Sequence, residues 1–399
     1  MSVQTLKGFR DFLPGQMVIR NRVISILKKV FESYGFSELA TPTLEYAEVL
    51  KGKYGEEAEK MMYLFTDQGG REVGLKYDMT VPLARVMAQY PDLPLPFKRY
   101  QIQPAFRAEN TQKSRYREFY QCDIDTVGIT SPIADAEILA VTSDCLFALG
   151  FKNFIIRVNS RQILKSITDS STVLQSIDKL DKKTVDEVKQ ELQAKGLDAS
   201  AIQEIFTKLD NLKPDDHLNE VIHLADKLGA KNIRFDPRLV RGLDYYTGPI
   251  FETVVTEPKI GSITGGGRYD QLIKTLGGPD LPAVGTTLGL DRICDVIQEL
   301  NLWPDVIPAS TQILVTVFSP DLFDNSLELS TQLRRSGKAV ELYPDPRTKF
   351  EKQMKYANAK SIPFVAILGP EEIEKKVIKI KDMNSGEQKE MLIDQLVNW

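Results

Sequence analysis

The segment 97–125 constrains the fold more than any other part of the sequence. Two stretches, FKRYQIQPAFRAE and REFYQCDID, alternate polar and apolar residues with period two, and NTQKSRY separates them. Because successive side chains of a strand point to opposite faces, this alternation predicts a long β-hairpin with one polar and one apolar face. The polar face would carry arginines, amides and carboxylates, among them Arg99, Gln121 and Asp125. A solvated outer face and a ligand-binding floor both agree with the pattern, and the scarcity of lysine and threonine favours the floor.

Helical periodicity dominates two other regions. Residues 16–34 carry apolar side chains at helical spacing before Gly35, which is a plausible C-cap. Residues 161–230 are helical in pattern, rich in charge and poor in aromatics, and they lie between strand-like segments. After WPDVIPAS, strand-like and helical segments alternate to the end of the chain, which predicts a separate α/β domain. The predicted organisation is a main domain in two parts, an insertion, a linker and a C-terminal domain, at residues 1–160 and 231–302, 161–230, 303–310, and 311–399.

The rare residue types exclude several kinds of site. The only histidines are His217 and His223, in a polar helical segment, so a Ser-His-Asp triad or a histidine-rich zinc site is nearly excluded. Three cysteines without CxxC spacing argue against a disulfide framework and fit a reducing cytoplasm. The net charge of −4 speaks weakly against nucleic-acid binding, although local basic patches still bind phosphates.

Targeting and membrane segments are not expected. No apolar run approaches the roughly 18–20 residues of a membrane-spanning helix. The start of the chain, MSVQTLKGFRDFLPG, lacks the basic-then-apolar layout of a secretory signal. The sequence therefore predicts a cytoplasmic protein without a membrane partner.

Three parts of the sequence concentrate residues suited to fixed polar contacts. They are FRAE at 106–109, RGLDYYTGPIFE from Arg241, and GGGRYD at 265–270 together with GLDR at 289–292. Core packing explains the clustered charges and tyrosines of RGLDYYT poorly. The three glycines either form a plain turn or let a ligand approach the backbone. The helix beginning at GLDR places Arg292 in its first turn, which suits an anion. Because a Walker A loop and a GxGxxG fingerprint are both missing, neither a P-loop nor a Rossmann site is indicated.

These motifs resemble those of the class II aminoacyl-tRNA synthetases, and within them the histidyl-tRNA synthetase family. TPTLE at 41–45, the FRAE hairpin and GLDR are similar to motifs 1, 2 and 3. RGLDYYTG and GGGRYD resemble the two signature strings of the family, and KYDMTVPLAR and QKSRYREFYQCDID match as well. The resemblance covers essentially the whole chain. It implies an α+β fold, in which an antiparallel sheet flanked by helices carries a helical insertion and a C-terminal α/β anticodon-binding domain. It also implies a homodimer formed through motif 1, near residues 20–46.

The resemblance implies a histidine–tRNA ligase. Such an enzyme activates L-histidine with ATP to histidyl-adenylate and pyrophosphate, then transfers histidine to the 3′ end of its tRNA. ATP is a substrate, Mg²⁺ is required, no organic cofactor is expected, and no residue is indicated as a metal ligand. Because the attacking carboxylate is already ionised at pH 7, the reaction needs no strong base.

Two alternatives remain open at this point. One is the synthetase-like, histidine-binding regulatory subunit of ATP phosphoribosyltransferase, and the other is a class II synthetase for a different amino acid. Arg107, Arg241, Arg292 and the complete C-terminal part oppose the first alternative. The RGLDYYT string opposes the second.

Individual roles are carried over by matching positions. The resemblance assigns catalysis to Arg107 and Arg241. Histidine binding is assigned to Asp78, Met79, Thr80, Arg107, Gln121, Asp125, Arg241, Tyr245, Tyr246 and Tyr269. ATP binding is assigned to Arg107, Glu109, Arg115, Phe119 and Arg292. For tRNA, the candidates are Gln112, Lys113 and Arg117 in the hairpin loop and Arg347 and Lys352 in the C-terminal part. A solvated helix face explains the last two equally well.

Overall fold

The first long helix follows from its apolar stripe. In the computed structural model, α1 spans Pro14–Ser33, and Gly35 follows with a φ of 79°. Val23, Leu27 and Phe31, spaced four residues apart, are completely buried. The helix predicted over residues 16–34 is therefore confirmed. The structure describes residues 3–52, 60–111, 115–240, 245–258, 260–304, 306, 309–392 and 395.

Those residues cluster into two units, residues 1–11 with 23–302 and residues 12–22 with 303–399. The strands of the first unit are β1 Ser37–Glu38, β2 Leu44–Tyr46, β3 Tyr63–Thr66, β4 Glu72–Leu75, β5 Phe97–Phe106, β6 Glu118–Val127, β7 Phe154–Ser160, β8 Ile233–Phe235, β9 Pro249–Val255, β10 Ser262–Arg268 and β11 Ala283–Gly289. Eight of them form one sheet in the order β1–β5–β6–β11–β10–β9–β7–β8. Only its edge pairs, β1 with β5 and β7 with β8, are parallel. Strands β2, β4 and β3 form a separate antiparallel sheet.

Helices flank the large sheet and fill the predicted insertion. Besides α1, the helices of this unit are α2 Ala47–Lys51, α3 Thr80–Gln89, α4 Pro132–Ala148, α5 Arg161–Lys165, α6 Ser171–Ile177, α7 Val185–Ala194, α8 Ala199–Asp210, α9 Asp216–Lys227, α10 Leu272–Thr275 and α11 Leu290–Glu299. The sequence fixes the starts of the insertion helices, because their N-cap side chains accept backbone hydrogen bonds. Ser170, Asp198 and Asp215 do so for α6, α8 and α9, and Thr184 with Glu187 forms a capping box for α7.

The predicted hairpin is formed by β5 and β6. Arg99 pairs with Asp125 and Gln101 with Asp123, so the odd-numbered polar residues share one face. That face is not solvated, because Arg99 and Gln101 are completely buried and Asp125 is 3% exposed. The interpretation as a solvated outer face is therefore wrong.

The second unit contains a five-stranded sheet. Its strands are β12 Ile313–Val315, β13 Val340–Leu342, β14 Phe364–Ile367, β15 Val377–Asp382 and β16 Gln388–Leu392, in the order β13–β12–β14–β15–β16. Its helices are α12 Phe323–Arg335, α13 Phe350–Ala359 and α14 Pro370–Lys375. Together the two sheets and their helices confirm the expected α+β fold. In the part of the chain that the structure describes, no helix has the length and apolar character to cross a membrane.

Candidate active site

Two adjoining cavities lie over the polar face of the large sheet. The first, here called the acidic cavity, is lined by Asp78, Thr80, Arg107, Gln121, Asp123, Asp125, Tyr245, Tyr246, Gly265, Gly266, Tyr269, Gly285, Thr286 and Thr287. The second, here called the arginine cavity, is lined by Arg107, Glu109, Arg115, Tyr116, Phe119, Tyr120, Gln121, Ser262, Ile263, Thr264, Gly265, Thr287, Gly289, Asp291 and Arg292. Arg107, Gln121, Gly265 and Thr287 line both, so the two cavities are parts of one larger site.

Glycines give the acidic cavity its floor. Gly266 and Gly267 lie inside β10 rather than in a turn, so the turn interpretation is wrong for them. A Cβ at Gly266 would lie 2.1 Å from the carbonyl oxygen of Gly285 in β11, the strand that pairs with β10. A Cβ at Gly285 would lie 1.9 Å from Oδ1 of Asp125. Glycine is therefore required at these positions, because any side chain would clash with the Asp125 carboxylate or with the neighbouring backbone.

Asp125 is held by one cation and one hydroxyl. Its Oδ2 lies 2.7 Å from a guanidinium nitrogen of the completely buried Arg99. The Tyr269 hydroxyl donates to Oδ1. Arg99 also donates to the carbonyl of Met79 at 3.2 Å. The carboxylate is therefore fixed in position before any ligand arrives.

Burial raises the pKa of the acids in this cavity. Desolvation raises the pKa of Asp125, while Arg99 and the Tyr269 hydrogen bond oppose the rise. Desolvation and the neighbouring Asp125 raise the pKa of Asp123 to about 7, against the opposing charge of Arg99. A ligand that brings N–H donors or positive charge would restore the ionised forms.

Asp78 precedes α3 and is 3% exposed. Its Oδ1 accepts a hydrogen bond from the backbone N–H of Val81 at 3.0 Å. Its Oδ2 is buried without a partner among the described residues. Desolvation raises the pKa of Asp78 to about 6, although the hydrogen bond from Val81 and the charge of Arg107 oppose this.

Further buried oxygen atoms in the cavity also lack a partner in the described part of the chain. Gln121 donates from Nε2 to the Thr287 hydroxyl at 3.0 Å, which leaves its Oε1 without a donor. The buried Thr286 hydroxyl likewise has no hydrogen-bond partner among the described residues. Because an unpaired buried polar group costs about 1–3 kcal/mol, this set of acceptors is arranged for a ligand with several N–H donors.

Three tyrosines form the aromatic wall of the acidic cavity. The ring centroid of Tyr245 lies 4.7 Å from that of Tyr246 and 5.8 Å from that of Tyr269, both edge-to-face. Tyr246 and Tyr269 are 8% and 2% exposed. Rings packed in this way keep their orientation, so they define a flat slot for a small planar group.

Cationic and aromatic groups line the arginine cavity. Arg107 donates from Nε to the carbonyl of Tyr77 at 3.2 Å, and its guanidinium carbon lies 5.0 Å from the Phe119 ring centroid. Arg115 forms an ion pair with Glu109. Arg292, in the first turn of α11, donates to the carbonyl of Ser262 at 2.5 Å. Fixed guanidinium groups and an exposed ring face suit the phosphates and base of a nucleotide.

Not every predicted residue lies in these cavities. Met79 is completely buried and is not in the wall of either cavity, and its carbonyl holds Arg99 instead. Arg117 donates from Nε to the carbonyl of Glu109 at 3.1 Å. Arg347 and Lys352 belong to the second unit, where both are exposed. Three predicted residues lie outside the described part of the chain, namely Gln112, Lys113 and Arg241.

Several residues of the site carried no signal as separate motifs. Arg99 and Asp123 were visible on the polar face of the hairpin, but their burial was not. Thr286 and Thr287 come from β11, whose pairing with β6 places them beside Ile124 and Asp123. The short TT pair in AVGTTLG gave no indication of a site, because threonine is common in strands.

Comparisons with known proteins agree with this geometry. A family model described as histidyl-tRNA synthetase matches residues 8–293, and one described as anticodon binding domain matches residues 306–399. A histidine–tRNA ligase of Aeropyrum pernix is 41% identical over 412 residues, which cover 96% of this chain and 94% of that protein. One of Cytophaga hutchinsonii is 37% identical over 444 residues, covering 98% of each.

Solved structures give the same picture of the fold. The histidyl-tRNA synthetase of Nostoc sp. PCC 7120 superposes with a TM-score of 0.85 at 29% identity, covering 100% of this chain and 99% of that one. A Bacillus halodurans protein, titled as an ATP phosphoribosyltransferase regulatory subunit/histidyl-tRNA synthetase, reaches a TM-score of 0.75 at 20% identity. It covers 89% of this chain and 97% of its own. That second likeness concerns the fold alone.

Proposed function

The chain belongs to the histidyl-tRNA synthetase family, and we propose that its two adjoining cavities are the histidine and ATP parts of one active site. The enzyme activates L-histidine with ATP to histidyl-adenylate and pyrophosphate, then transfers histidine to the 3′ end of its tRNA. One observation carries the residue assignment, namely the wall that the cavities share. Because Arg107 and Gln121 line both, a carboxylate held beside them lies between the amino-acid side and the phosphate side.

Asp78, Thr80 and Gln121 bind the α-amino group of histidine in this proposal. The buried Oδ2 of Asp78 and Oε1 of Gln121 are acceptors without a protein donor in the described part of the chain. An ammonium group offers three donors and a positive charge. Its arrival lowers the pKa of Asp78 from about 6, because the ion pair offsets the desolvation that raised it.

Asp125 and the three tyrosines bind the imidazole. Asp125 is fixed by Arg99 and by the Tyr269 hydroxyl, so it accepts from a ring N–H without having to reorient. Tyr246 and Tyr245 supply the flat wall. A site built to hydrogen-bond a ring N–H rejects an isostere that lacks it, because the acceptor position of Asp125 that faces the ligand would lose its donor.

ATP occupies the arginine cavity. Phe119 offers its ring to the adenine, Glu109 and Arg115 contact the nucleotide, and Arg292 meets the γ-phosphate. Arg292 lies in the first turn of α11, where the helix dipole also favours an anion.

The reaction is an in-line exchange at the α-phosphorus. The histidine carboxylate attacks, a new phosphorus–oxygen bond forms, and the bond to the pyrophosphate oxygen breaks. Arg107, together with Arg241, stabilises the charge that develops on the α-phosphate oxygens. Catalysis of this kind consists of positioning and electrostatic stabilisation and needs no proton transfer to a base.

Mg²⁺ enters as the partner of ATP. Among the described residues, no three histidine, cysteine, aspartate or glutamate side chains cluster as a dedicated metal site. Mg²⁺ at nucleotide sites is held by substrate phosphates and one or two carboxylates. Glu109, whose carboxylate lines the arginine cavity, fits that requirement, and the ion would neutralise phosphate charge there.

The domain division is proposed as 1–160 with 231–302 for chemistry, 161–230 as an insertion, 303–310 as a linker and 311–399 for the anticodon. The match of residues 306–399 to anticodon-binding domains supports the last assignment. In the hairpin loop, Gln112, Lys113 and Arg117 would contact the acceptor end. A chain ending near Pro308 should keep pyrophosphate exchange and lose most aminoacylation, which a filter assay measures directly.

A homodimer and a cytoplasmic location complete the proposal. Leu44 and Tyr46, in the motif 1 region, are 47% and 52% exposed, so this region offers apolar surface that a partner subunit could cover. The three cysteines are buried and form no disulfide with one another, which fits a reducing compartment. Sedimentation of the wild-type chain and of Leu44→Glu tests the dimer, and cell fractionation tests the location.

Amino-acid-dependent exchange of pyrophosphate into ATP, measured with all twenty amino acids, tests the activity. Exchange with histidine alone is the expected result. The regulatory-subunit alternative predicts histidine binding without exchange, and a synthetase of other specificity predicts exchange with another amino acid. The C-terminal match to anticodon-binding domains and the matches to histidine–tRNA ligases favour the ligase.

A further inference from the structure

The N-terminal segment Leu6–Arg10, here called the strap, lies against the base of the hairpin loop. The carbonyl of Gly8 accepts hydrogen bonds from the backbone N–H groups of Arg117, at 2.9 Å, and Glu118, at 3.4 Å. Arg117 also donates from its guanidinium to the carbonyl of Lys7 at 3.4 Å. The strap is thus bonded to the residues with which β6 begins.

Gly8 brings the strap close to both sides of the loop. Its φ of +89° is in the left-handed region that favours glycine. A Cβ there would lie 2.8 Å from Cγ of Arg117 and 2.8 Å from Cγ2 of Thr111. Thr111 precedes the hairpin loop and Arg117 follows it, so the strap lies against both ends of the loop.

Arg10 joins two walls of the arginine cavity from outside. Its guanidinium lies 2.7 Å from Oδ1 of Asp291, and its central carbon lies 3.2 Å from the ring centroid of Tyr116. The second oxygen of Asp291 accepts a hydrogen bond from the backbone N–H of Tyr120 at 3.0 Å. Tyr116, Tyr120 and Asp291 line the arginine cavity, whereas Arg10 does not.

We propose that Arg10 is a positioning residue for the nucleotide, which sets the distance between the returning arm of the hairpin loop and the start of α11. The inference rests on the proposed assignment of ATP to the arginine cavity. The loop arm carries Tyr116 and Phe119, and α11 carries Arg292. Those two elements are far apart in sequence, and Arg10 contacts both through one planar group.

The contact is geometric rather than a source of stability. Arg10 is 25% and Asp291 6% exposed, so the cost of desolvating the two charges offsets much of their attraction and the ion pair contributes little to folding. A small misplacement of binding groups, in contrast, costs ~10²-fold in rate when it reaches ~1 Å. We therefore expect Arg10→Met to raise KM for ATP by ~10-fold or more, with KM for histidine changed less than ~3-fold.

Lys98→Met is the matched control. Lys98 lies 2.9 Å from Glu137 and 4.6 Å from the Phe36 ring centroid, and its side chain is 21% exposed. It therefore loses an ion pair and a cation–ring contact of the same kind, but away from both cavities. Equal thermal stability of the two variants, with a raised KM for ATP in Arg10→Met alone, is the expected result. A raised KM for ATP in both variants would overturn the inference.

Two further variants separate this inference from the proposed function. Arg10→Lys keeps the charge but loses the planar stack on Tyr116, so it should restore only part of the ATP affinity. Gly8→Ala displaces the strap by a different route and should raise KM for ATP as well. If Arg292→Ala abolishes ATP binding while Arg10→Met and Gly8→Ala leave KM unchanged, the nucleotide site stands and the positioning role is wrong. If Arg292→Ala and Phe119→Ala leave ATP binding unchanged, the assignment of the cavity itself is wrong.

Discussion

The two sheets of this chain bury different kinds of side chain. On the eight-stranded sheet, β5 and β6 bury Arg99, Gln101, Asp123 and Asp125 on one face, none more than 4% exposed. On the five-stranded sheet, the strand β12, which lies between β13 and β14, buries Ile313, Leu314 and Val315, so both of its faces are apolar. Charged groups of that unit also pair near the surface, as Lys360 does with Glu341 at 2.7 Å.

The two kinds of buried side chain contribute differently to the free energy of folding. Apolar burial in the second sheet contributes to stability directly. Buried charges in the first sheet cost desolvation that their mutual attraction offsets only in part. Oxygen atoms of Asp78, Gln121 and Thr286 stay without partners in the described part of the chain, which adds to that cost. The first sheet thus carries a polar face that a ligand completes, and matched substitutions in the two sheets test this contrast.

The largest expected effect belongs to Asp125. Asp125→Asn removes the charge that, in the proposed site, accepts from the imidazole, and it removes the carboxylate 2.7 Å from Arg99. We expect kcat/KM for histidine in pyrophosphate exchange to fall by ~10⁴. The matched change in the other sheet is Glu341→Gln, which removes a β13 carboxylate 2.7 Å from Lys360 and should leave exchange unchanged.

A second variant distinguishes loss of histidine binding from misfolding of Asp125→Asn. Tyr269→Phe removes the hydroxyl that donates to Asp125 but keeps the Arg99–Asp125 ion pair. It should fold like the wild type and still lose histidine affinity. Wild-type kinetics in both Asp125→Asn and Tyr269→Phe would show that the imidazole binds elsewhere.

Arg107 should show the next largest effect. Under the proposed assignment, Arg107→Ala removes a fixed donor from the charge that develops on the α-phosphate, so adenylate formation should slow by ~10²–10³. Arg107→Lys should recover little, because an ammonium lacks the planar fork. Single-turnover adenylation measures both.

The second sheet again supplies the control for this change. Arg334 in α12 also donates from Nε to a backbone carbonyl, that of Val340 at 3.0 Å, and Arg334→Ala should leave adenylation unchanged. A rate near the wild-type value in Arg107→Ala would remove this arginine from the mechanism.

Local periodicity in the sequence was enough to predict the hairpin and its two faces. Alternation specifies which residues share a face, because the period of a strand is two. It does not specify what covers that face, which depends on the pairing of β6 with β11 and on the position of α3. The burial of Arg99 and the steric requirement for Gly285 beside Asp125 arise from those long-range contacts, so they could not be predicted.

Two elements of the C-terminal part have little periodicity in the sequence. α14 has six residues, and β16 is an edge strand whose residues are mostly exposed. Short and solvated elements lack the apolar pattern on which prediction depends. Arg10 was missed for another reason, since one arginine in an irregular segment has no periodicity at all.

The buried carboxylate of Asp78 should lower the free energy of unfolding by an amount that depends on pH. Burial raises its pKa from 3.8 to about 6 in the folded chain. Above pH 6 the folded state therefore carries a buried charge that the unfolded state hydrates. This penalty shrinks as pH falls below 6 and is gone below 3.8, where the carboxyl of the unfolded chain is protonated as well. Asp78→Asn should stabilise the first unit by about 2–3 kcal/mol at pH 8 and by progressively less toward pH 5, while abolishing histidine activation.

For Glu372 in the second unit, the ionised carboxylate stabilises the fold, so its effect on the free energy of unfolding has the opposite sign. Its hydrogen bond with Lys379 lowers the pKa of Glu372, so its stabilisation is lost as pH falls below 4.5. Hydrogen exchange of peptides from α3 and from β14 measures the stability of the two units separately. A stability difference between wild type and Asp78→Asn that is constant from pH 8 to 5 would contradict a charged, buried Asp78.

The smallest effect is expected in the second unit, where charge lies in solvent. Arg347 and Lys352 are exposed beside and within α13, and the double variant Arg347→Ala, Lys352→Ala should weaken tRNA binding only several-fold near physiological salt. If both contact phosphates of a single-stranded anticodon loop, the slope of log K against log salt should fall by about 1.4, since each contact contributes ~0.7. Pyrophosphate exchange should not change, because it needs no tRNA. Lys389→Ala removes a 74% exposed charge from β16 and serves as the control. Equal losses in both variants would indicate a general charge effect, and no loss in the double variant would show that this helix face is merely solvated.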